Sequence, residues 1–237
     1  MKFFLFVFAL LKALTSFAQV PNNTSIVKDS SGKVYPTTAW RQLLMYGGYD
    51  VRPANIGKAD TEFYLVRLNY EEKQARFGKM PAPKESPFFK SGNKMKIGGV
   101  RDTKGNKIDL KESKGQITVV NFWFINCPPC RMEIPELNLL VKKYASDSIR
   151  FIAIALDQKK ELEAFLKTTS FNYQHVDNGR SISQGEGVTA YPTHVVLDRD
   201  GKVYFHTSGL SSNTVYWLEK SIRELQNKKG TQTTAVQ

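Results

Sequence analysis

Cysteine is scarce in this chain of 237 residues, which holds only Cys127 and Cys130. A disulfide between two residues so close together closes a very short loop and constrains the unfolded chain very little. The spacing therefore excludes the framework of structural disulfides on which small secreted domains depend. A single Cys-x-x-Cys pair is better explained by a role in reversible thiol–disulfide exchange than by the incidental burial of two thiols.

Long apolar runs are also few, and the one at the N-terminus is too short to span a bilayer comfortably as a permanent helix. It lies within residues 1–18 and is interrupted by Lys12. Small residues, Ser16 and Ala18, stand at the positions that precede a cleavage site before Gln19. We predict a cleavable signal peptide over residues 1–18 and hence an exported protein, with a buried or uncleaved N-terminus as the alternative.

Acidic residues are in the minority, with 22 Asp and Glu against 34 Lys and Arg, and the formal net charge is +12. The lysines are interleaved with acids along the chain and form no run longer than two. This distribution is typical of a solvated surface and not of a nucleic-acid site. We therefore expect no nucleic-acid partner, whereas attraction to acidic partners stays open.

Histidine is rare as well, and the three histidines are His175, His194 and His206. They lie far from the cysteines in sequence, and none has the spacing of a metal-ligand set. We therefore expect no metal and no other cofactor. His194 could still lie near the cysteines, because it closely follows the turn expected at Pro192.

The chain divides into segments of different pattern. We predict a signal peptide over 1–18, an N-terminal region of unknown fold over 19–80, a proline-rich linker over 81–87, an α/β domain over 88–228 and a flexible tail over 229–237. In the N-terminal region, Thr61–Leu68 predicts a strand and Trp40–Tyr46 a short helix, and a polar, charged segment follows over Asn69–Lys79. The prolines of the linker forbid a helix.

Strands and helices alternate from residue 88 onward. The continuous apolar run Ile117–Phe124 predicts a strand covered on both faces. Two further strands are predicted over Phe151–Leu156 and His194–Leu197. Apolar stripes predict a helix around Leu137 to Tyr144, a shorter one around Leu162 to Leu166, and a closing helix from Val215 that ends at Lys228-Lys229-Gly230. This alternation is typical of an α/β layer fold.

The cysteine pair lies where the first of these strands gives way to a helix. A helix N-terminus stabilises a thiolate, so we predict that Cys127 is the exposed attacking thiol. Cys130, one turn further on, would be better buried and would resolve a mixed disulfide. Pro128 and Pro129 fit the first helical turn but remove two N–H donors that could bond the Cys127 sulfur. The direction of the net effect on the pKa of Cys127 is thus left open.

Glu133 follows Cys130 by three residues and lies on the same helix face. A partly buried carboxylate at that position could accept the Cys130 proton during exchange. The alternative is an exposed glutamate in the first turn that complements the helix dipole.

Together these motifs resemble the thioredoxin superfamily and, within it, the exported TlpA/ResA-like thioredoxins. The resemblance covers about residues 88–228, and it rests on Phe122-Trp123, the Cys-x-x-Cys pair, the helix with Pro135 and the late Tyr191-Pro192-Thr193. It implies an α/β, thioredoxin-like fold with a central mixed sheet flanked by helices. The N-terminal region would be a small extension of unknown fold.

The resemblance also implies roles for single residues. Pro192 matches the cis-proline that faces the disulfide, and Tyr191 before it would offer its backbone to a substrate strand. An ordinary trans-proline that starts an edge strand is the alternative for Pro192. Pro135 matches the helix-kinking proline, and Glu133 matches the acidic residue of the ResA-like branch. Asn121 replaces the aspartate of cytosolic thioredoxins, as is common in the exported branch, and leaves Glu133 as the proton acceptor.

One departure concerns the residues directly before the first cysteine. The family usually has tryptophan next to this cysteine, whereas this chain has Ile125-Asn126. The difference changes the surface around the nucleophile.

The resulting prediction is an exported thiol–disulfide oxidoreductase that reduces disulfides. The resemblance implies disulfide-bearing exported proteins as substrates, apocytochrome c among them, and a membrane thiol reductase as electron donor. It implies the periplasm of a Gram-negative bacterium, with release outside the cell as the alternative. A disulfide-introducing oxidase or isomerase remains a rival, because sequence does not determine the reduction potential. A thioredoxin-fold metal chaperone that uses His194, or an adaptor, is the rival from another class.

Overall fold

The computed structural model describes residues 20–55, 62–111 and 115–233. The predicted signal peptide lies outside the described residues. In chain order the elements are β1 (Ile26–Lys28), β2 (Val34–Tyr35), α1 (Thr37–Met45), β3 (Tyr49–Pro53), β4 (Glu62–Arg67), α2 (Tyr70–Phe77), β5 (Val100–Arg101), β6 (Lys107–Ile108), β7 (Ile117–Trp123), α3 (Pro128–Lys143), β8 (Ile149–Ala155), α4 (Lys159–Thr168), β9 (Gln174–Val176), α5 (Arg180–Gly185), β10 (Thr193–Leu197), β11 (Val203–Ser208) and α6 (Thr214–Thr233).

A five-stranded sheet in the order β11-β10-β7-β8-β9 forms the centre of the larger part of the chain. Strands β7, β8 and β9 are parallel, whereas β10 runs antiparallel to both β7 and β11. All seven residues of β7 are buried, because the sheet is covered on both faces. Thus the predicted central mixed sheet is confirmed.

Two apolar clusters hold this sheet between its flanking layers. One face packs against α3, α4 and α6 through buried side chains such as Leu137, Leu162 and Leu218. The other face packs against the β5–β6 hairpin and the segment before it, where Met95 and Ile108 are buried. These clusters confirm the flanked, α/β architecture.

The N-terminal region is itself a small α/β unit with a four-stranded sheet in the order β2-β1-β4-β3. Its core consists of Val27, Phe63 and Leu65 on the sheet and Trp40 on α1. The predicted helix and strand of this region are confirmed as α1 and β4. The polar, charged segment Asn69–Lys79, to which the sequence assigns no helix or strand, contains helix α2.

The N-terminal region is docked on α3 and α6 by polar contacts. Lys73 Nζ of α2 lies 2.5 Å from the carboxylate of Glu136 on α3. The Tyr70 hydroxyl of α2 donates a hydrogen bond to Glu219 on α6, at 2.8 Å. Helix α2 therefore bridges the two parts of the chain.

The proline-rich segment 81–87 forms neither helix nor strand. It is nevertheless anchored, because the Thr207 hydroxyl donates to the carbonyl oxygen of Lys84 at 2.8 Å. The Asn213 side-chain amide likewise donates to the carbonyl oxygen of Pro81 at 2.9 Å. The segment thus runs along the larger part of the chain and is not a free connector.

The closing helix is longer than predicted, because α6 continues to Thr233. The expected end at Lys228–Gly230 and the start of the expected tail at residue 229 are therefore wrong. A single glycine disfavours a helix by only about 1 kcal/mol, and the neighbouring lysines favour one. Within the described ranges, no helix is both long enough and apolar enough to cross a membrane.

Candidate active site

Cys127 and Cys130 lie at the junction of β7 and α3 and are joined by a disulfide. Cys127 is the N-cap residue of α3, and Pro128 and Pro129 fill the first helical positions. The Cys127 sulfur accepts a hydrogen bond from the backbone N–H of Cys130, at 3.3 Å. Because the prolines have no N–H, the donor for this sulfur comes from the second cysteine.

Both cysteines are buried, with 2% of Cys127 and 1% of Cys130 exposed. The expectation of an exposed Cys127 is therefore wrong for this oxidised form. The disulfide draws the Cys127 sulfur towards Cys130, into the apolar cluster between the sheet and α3. Phe124 and Tyr191 pack against the same cluster.

The peptide bond between Tyr191 and Pro192 is cis. Strand β10 begins at the next residue, Thr193, which pairs with Phe122 near the end of β7. β10 is an inner strand of the sheet, so the alternative of a trans-proline at an edge strand is wrong. The Tyr191 ring meets Phe124 edge-on with centroids 5.5 Å apart, which fixes it against the segment that leads to Cys127.

Glu133 is buried in α3, with 4% of its side chain exposed. Its Oε2 lies 2.8 Å from Nε2 of His194. Its Oε1 finds no hydrogen-bond partner among the described residues. The alternative of an exposed glutamate in the first turn is therefore wrong, and the contact with His194 was not predicted.

His194 is completely buried in β10 and pairs across the sheet with Asn121 of β7. Side chains of paired residues lie on the same face of a sheet, so His194 and Asn121 are neighbours. In the described part of the chain, His194 Nδ1 and both amide atoms of Asn121 have no hydrogen-bond partner. Asn121, Glu133 and His194 thus form a buried polar cluster one helical turn from Cys130.

Asp157 supports the loop between β7 and Cys127. Its Oδ2 accepts a hydrogen bond from the backbone N–H of Ile125 at 2.8 Å. Burial raises the pKa of Asp157 above its ordinary value, and the hydrogen bond from Ile125 opposes this effect. Sequence patterns did not identify Asp157, although its position directly after a predicted buried strand could have indicated it.

The other two histidines lie on other strands, His175 in β9 and His206 in β11. Burial lowers the pKa of both rings and so favours their neutral forms. Within residues 20–55, 62–111 and 115–233, no group of three or more His, Cys, Asp or Glu side chains could hold a metal ion.

A cavity of about 260 Å³ lies where the N-terminal region meets α3 and α6. Tyr70 and Lys73 of α2 contribute to its wall, as do Tyr216 of α6 and Leu139 of α3. Glu133 also lines it, so this residue borders both the turn that holds Cys130 and the cavity.

Comparisons with known proteins agree with this geometry. The AhpC/TSA family matches residues 91–206. Thiol-disulfide oxidoreductase ResA of Bacillus cereus is 32% identical over 146 residues, which cover 58% of this chain and 83% of that protein. The thioredoxin-like protein YneN of Bacillus subtilis is 32% identical over 103 residues, which cover 42% of this chain and 60% of that protein.

Solved structures share the fold. A thiol:disulfide interchange protein DsbE from Chlorobium tepidum superposes with a TM-score of 0.53 at 24% identity, over 58% of this chain and 98% of that one. The fold and these matches define a member of the thioredoxin superfamily. Within it the chain belongs to the ResA-like thiol–disulfide oxidoreductases, and it is a disulfide oxidoreductase.

Proposed function

We propose that this enzyme reduces disulfides of exported proteins and that Cys127 and Cys130 are its redox centre. The observation that carries the proposal is the disulfide between them at the start of α3, beside the cis bond before Pro192. The chemistry would belong to the thioredoxin-like domain over residues 88–228. The names of the relatives support exchange between thiols and disulfides in general.

In the first step the Cys127 thiolate attacks a substrate disulfide, and one substrate sulfur leaves as a thiolate. The N-terminus of α3 and the N–H of Cys130 stabilise the negative charge on Cys127. Tyr191 and Pro192 would receive the substrate backbone in an extended conformation next to the sulfur. Substrate and enzyme are then joined through Cys127.

In the second step Cys130 gives its proton to Glu133 and attacks the Cys127 sulfur. The Cys127–Cys130 disulfide forms, and the second substrate sulfur leaves. Two electrons pass from the cysteine pair to the substrate, whose two sulfurs end as thiols after taking up two protons.

The proposed setting follows from the predicted signal peptide at residues 1–18. Export would bring the enzyme to the periplasm, or outside the cell, where disulfide-bearing proteins such as apocytochrome c would be substrates. A membrane thiol reductase would return two electrons to the Cys127–Cys130 disulfide by the same exchange chemistry.

The proposal is tested with insulin as the disulfide substrate and dithiothreitol as the electron donor. Cys127→Ser is expected to lower turnover to the uncatalysed rate, because the nucleophile is lost. Cys130→Ser, reduced and then freed of dithiothreitol before insulin is added, is expected to accumulate the mixed disulfide with insulin, which mass spectrometry detects. Full activity of Cys127→Ser would overturn the mechanism.

The direction of electron flow is tested by the reduction potential of the pair. We expect a value near about −270 mV, as in thioredoxin, which makes the pair a reductant. A value near about −120 mV, as in the strongly oxidising members of the superfamily, would make it a disulfide donor instead.

A further inference from the structure

We infer that His194 is a positioning residue for Glu133, and that it keeps this buried carboxylate ready to take the Cys130 proton. The inference rests on the proposed function, in which Glu133 receives that proton. It concerns a contact between two residues that lie 61 positions apart in the chain.

Burial is the first reason for the inference. A carboxylate removed from water is strongly unfavourable unless a hydrogen-bond donor or an opposite charge compensates it. The Glu133 side chain is 4% exposed, and the His194 side chain is fully buried. Because His194 Nε2 lies 2.8 Å from Glu133 Oε2, it supplies this compensation directly.

The position of His194 in the sheet is the second reason. Its backbone pairs with Asn121 of β7 on one side and with Thr207 of β11 on the other. The imidazole is therefore held by the central sheet, whereas Glu133 is carried by α3. The same strand begins directly after Pro192, so β10 positions both the substrate-facing loop and the proton acceptor.

The two oxygens of Glu133 have different surroundings, which is the third reason. With its proton on Nε2, the His194 ring donates to Oε2, and Oε1 has no partner among the described residues. The proton from the Cys130 thiol can then bind Oε1 while the bond to His194 stays in place. Oε2 is thus held by His194, and Oε1 accepts the proton from Cys130.

Other titratable groups adjoin Glu133 on α3, interact with its charge or line the same cavity, but in the described part of the chain none of them hydrogen-bonds to its carboxylate. They are Cys130 and Glu136 on α3, Tyr173 before β9, Lys73 on α2, and Glu219 and Lys143 at the cavity. Lys73 pairs with Glu136 at 2.5 Å. Burial, assisted by the charge of Glu133, raises the pKa of Tyr173, which therefore stays neutral. His194 is thus the group whose hydrogen bond acts directly on the Glu133 carboxylate.

The experiment follows the attack of Cys130 on a mixed disulfide. The reduced full-length protein reacts with 5,5′-dithiobis(2-nitrobenzoate), and the second release of thionitrobenzoate reports the Cys130 step across a range of pH. For His194→Val we expect this step to slow by about tenfold or more near neutral pH. Its pH profile should also differ from that of the wild type, because the group that receives the Cys130 proton has lost its hydrogen-bond donor.

Two further variants separate positioning from packing. His194→Gln keeps an N–H donor on a side chain of similar reach and is expected to restore most of the rate. His206→Val removes an equally buried histidine from the adjacent strand β11, where 3% of the residue is exposed, and is expected to keep the wild-type pH profile. If His194→Val fails to fold, the shorter His194→Asn takes its place and is expected to show the same slow step.

Glu133→Gln distinguishes failure of the inference from failure of the proposed function. If Glu133→Gln leaves the Cys130 step unchanged, the role proposed for Glu133 is wrong and the inference falls with it. If Glu133→Gln slows the step but His194→Val keeps the wild-type profile, the inference alone is overturned. We expect the double variant to be no slower than Glu133→Gln, since the two residues act through one carboxylate.

Discussion

The carboxylate of Asp102 holds several neighbouring groups in place through hydrogen bonds. It accepts hydrogen bonds from the backbone N–H groups of Lys104 and Asn106, at 2.9 and 2.7 Å. It also accepts from the side-chain amides of Asn106 and Gln174, at 2.8 and 2.9 Å. Burial alone would raise the pKa of Asp102, but these hydrogen bonds outweigh it and lower the pKa. Asp102 therefore closes the β5–β6 turn and ties it to β9.

We predict that Asp102→Ala lowers the free energy of unfolding at neutral pH by about 2 kcal/mol, because hydrogen bonds to a charged group are lost. The lowered pKa gives the sign of the pH dependence. The contribution of Asp102 is present above its unfolded pKa and is lost as pH falls through its lower folded pKa. Urea unfolding should therefore show the wild type and the variant converging in acid.

Asp200→Ala is the matched control for this prediction. Asp200 is exposed in the turn between β10 and β11, and it contributes its backbone N–H to Asp198. The substitution keeps that N–H, so we expect a change within about 0.5 kcal/mol. An Asp102→Ala variant as stable as the wild type at neutral pH would contradict the role given to this carboxylate.

Local spacing predicts some residues of the candidate site and not others. Cys130 follows Cys127 by three residues, and Glu133 follows Cys130 by three. Residues with this separation lie next to each other on one face of a helix, so the sequence alone predicts that they are close. The contact of Glu133 with His194 depends on the register of β10 against β7 and on the packing of α3 over the sheet. Such a contact depends on the fold, and the sequence alone indicates only that His194 could lie near the cysteines.

Helix α2 is an element that apolar periodicity could not reveal. Phe77 is its one buried residue and packs against Tyr216 of α6, whereas Tyr70 and Lys73 contact α6 and α3 through polar groups. The available signal is a capping box at its start. The Asn69 side chain accepts from the Glu72 N–H, and the Glu72 side chain accepts from the Asn69 N–H, both at 2.9 Å. This reciprocal motif marks a helix start independently of any apolar stripe.

The capping box gives a prediction for this helix. Asn69→Ala should lower the free energy of unfolding by about 1 kcal/mol, because the Glu72 N–H loses its acceptor. Asn69→Ser keeps an oxygen at the N-cap and should stay close to the wild type. Urea unfolding measures both variants. Equal losses in the two would show that the cap does not stabilise α2.

Short elements escape sequence patterns for a different reason. β9 has three residues and α5 has six, which is too little for a periodicity to appear. β9 forms because Gln174–Val176 pair with Ile152–Ile154 of β8. β9 can therefore be recognised only from its pairing with β8, whereas the long apolar run of β7 predicts a strand from its own sequence.

Docking of the N-terminal region is a property of the whole molecule that no single segment predicts. The contacts join residues far apart in sequence, such as Lys73 with Glu136 and Tyr70 with Glu219. Each of these side chains, taken alone, is of a polar type that usually lies on a solvent-exposed surface. The docking places α2 over the face of α3 and encloses the cavity that Glu133 lines.

Gly47 lies at the tightest point of this docking. Its φ of +72° is in the left-handed region, and a Cβ there would stand 2.1 Å from the carbonyl oxygen of Ser212 and 2.7 Å from the Phe77 ring. Gly32 has a similar φ of +86°, but nothing lies within 4 Å of its added Cβ. A substitution at Gly32 therefore tests backbone strain alone, whereas a substitution at Gly47 tests backbone strain together with a steric clash.

We predict that Gly32→Ala lowers the free energy of unfolding by about 1 to 2 kcal/mol, the cost of a left-handed residue with a side chain. Gly47→Ala carries the same strain, and in addition must push the N-terminal region away from the Ser212 backbone, so its loss should be clearly larger. Hydrogen exchange should then show α2 opening before the central sheet in Gly47→Ala but not in Gly32→Ala, since the docked face supplies the partners of α2. Equal losses and equal exchange in the two variants would mean that the contact at Ser212 does not hold the N-terminal region in place.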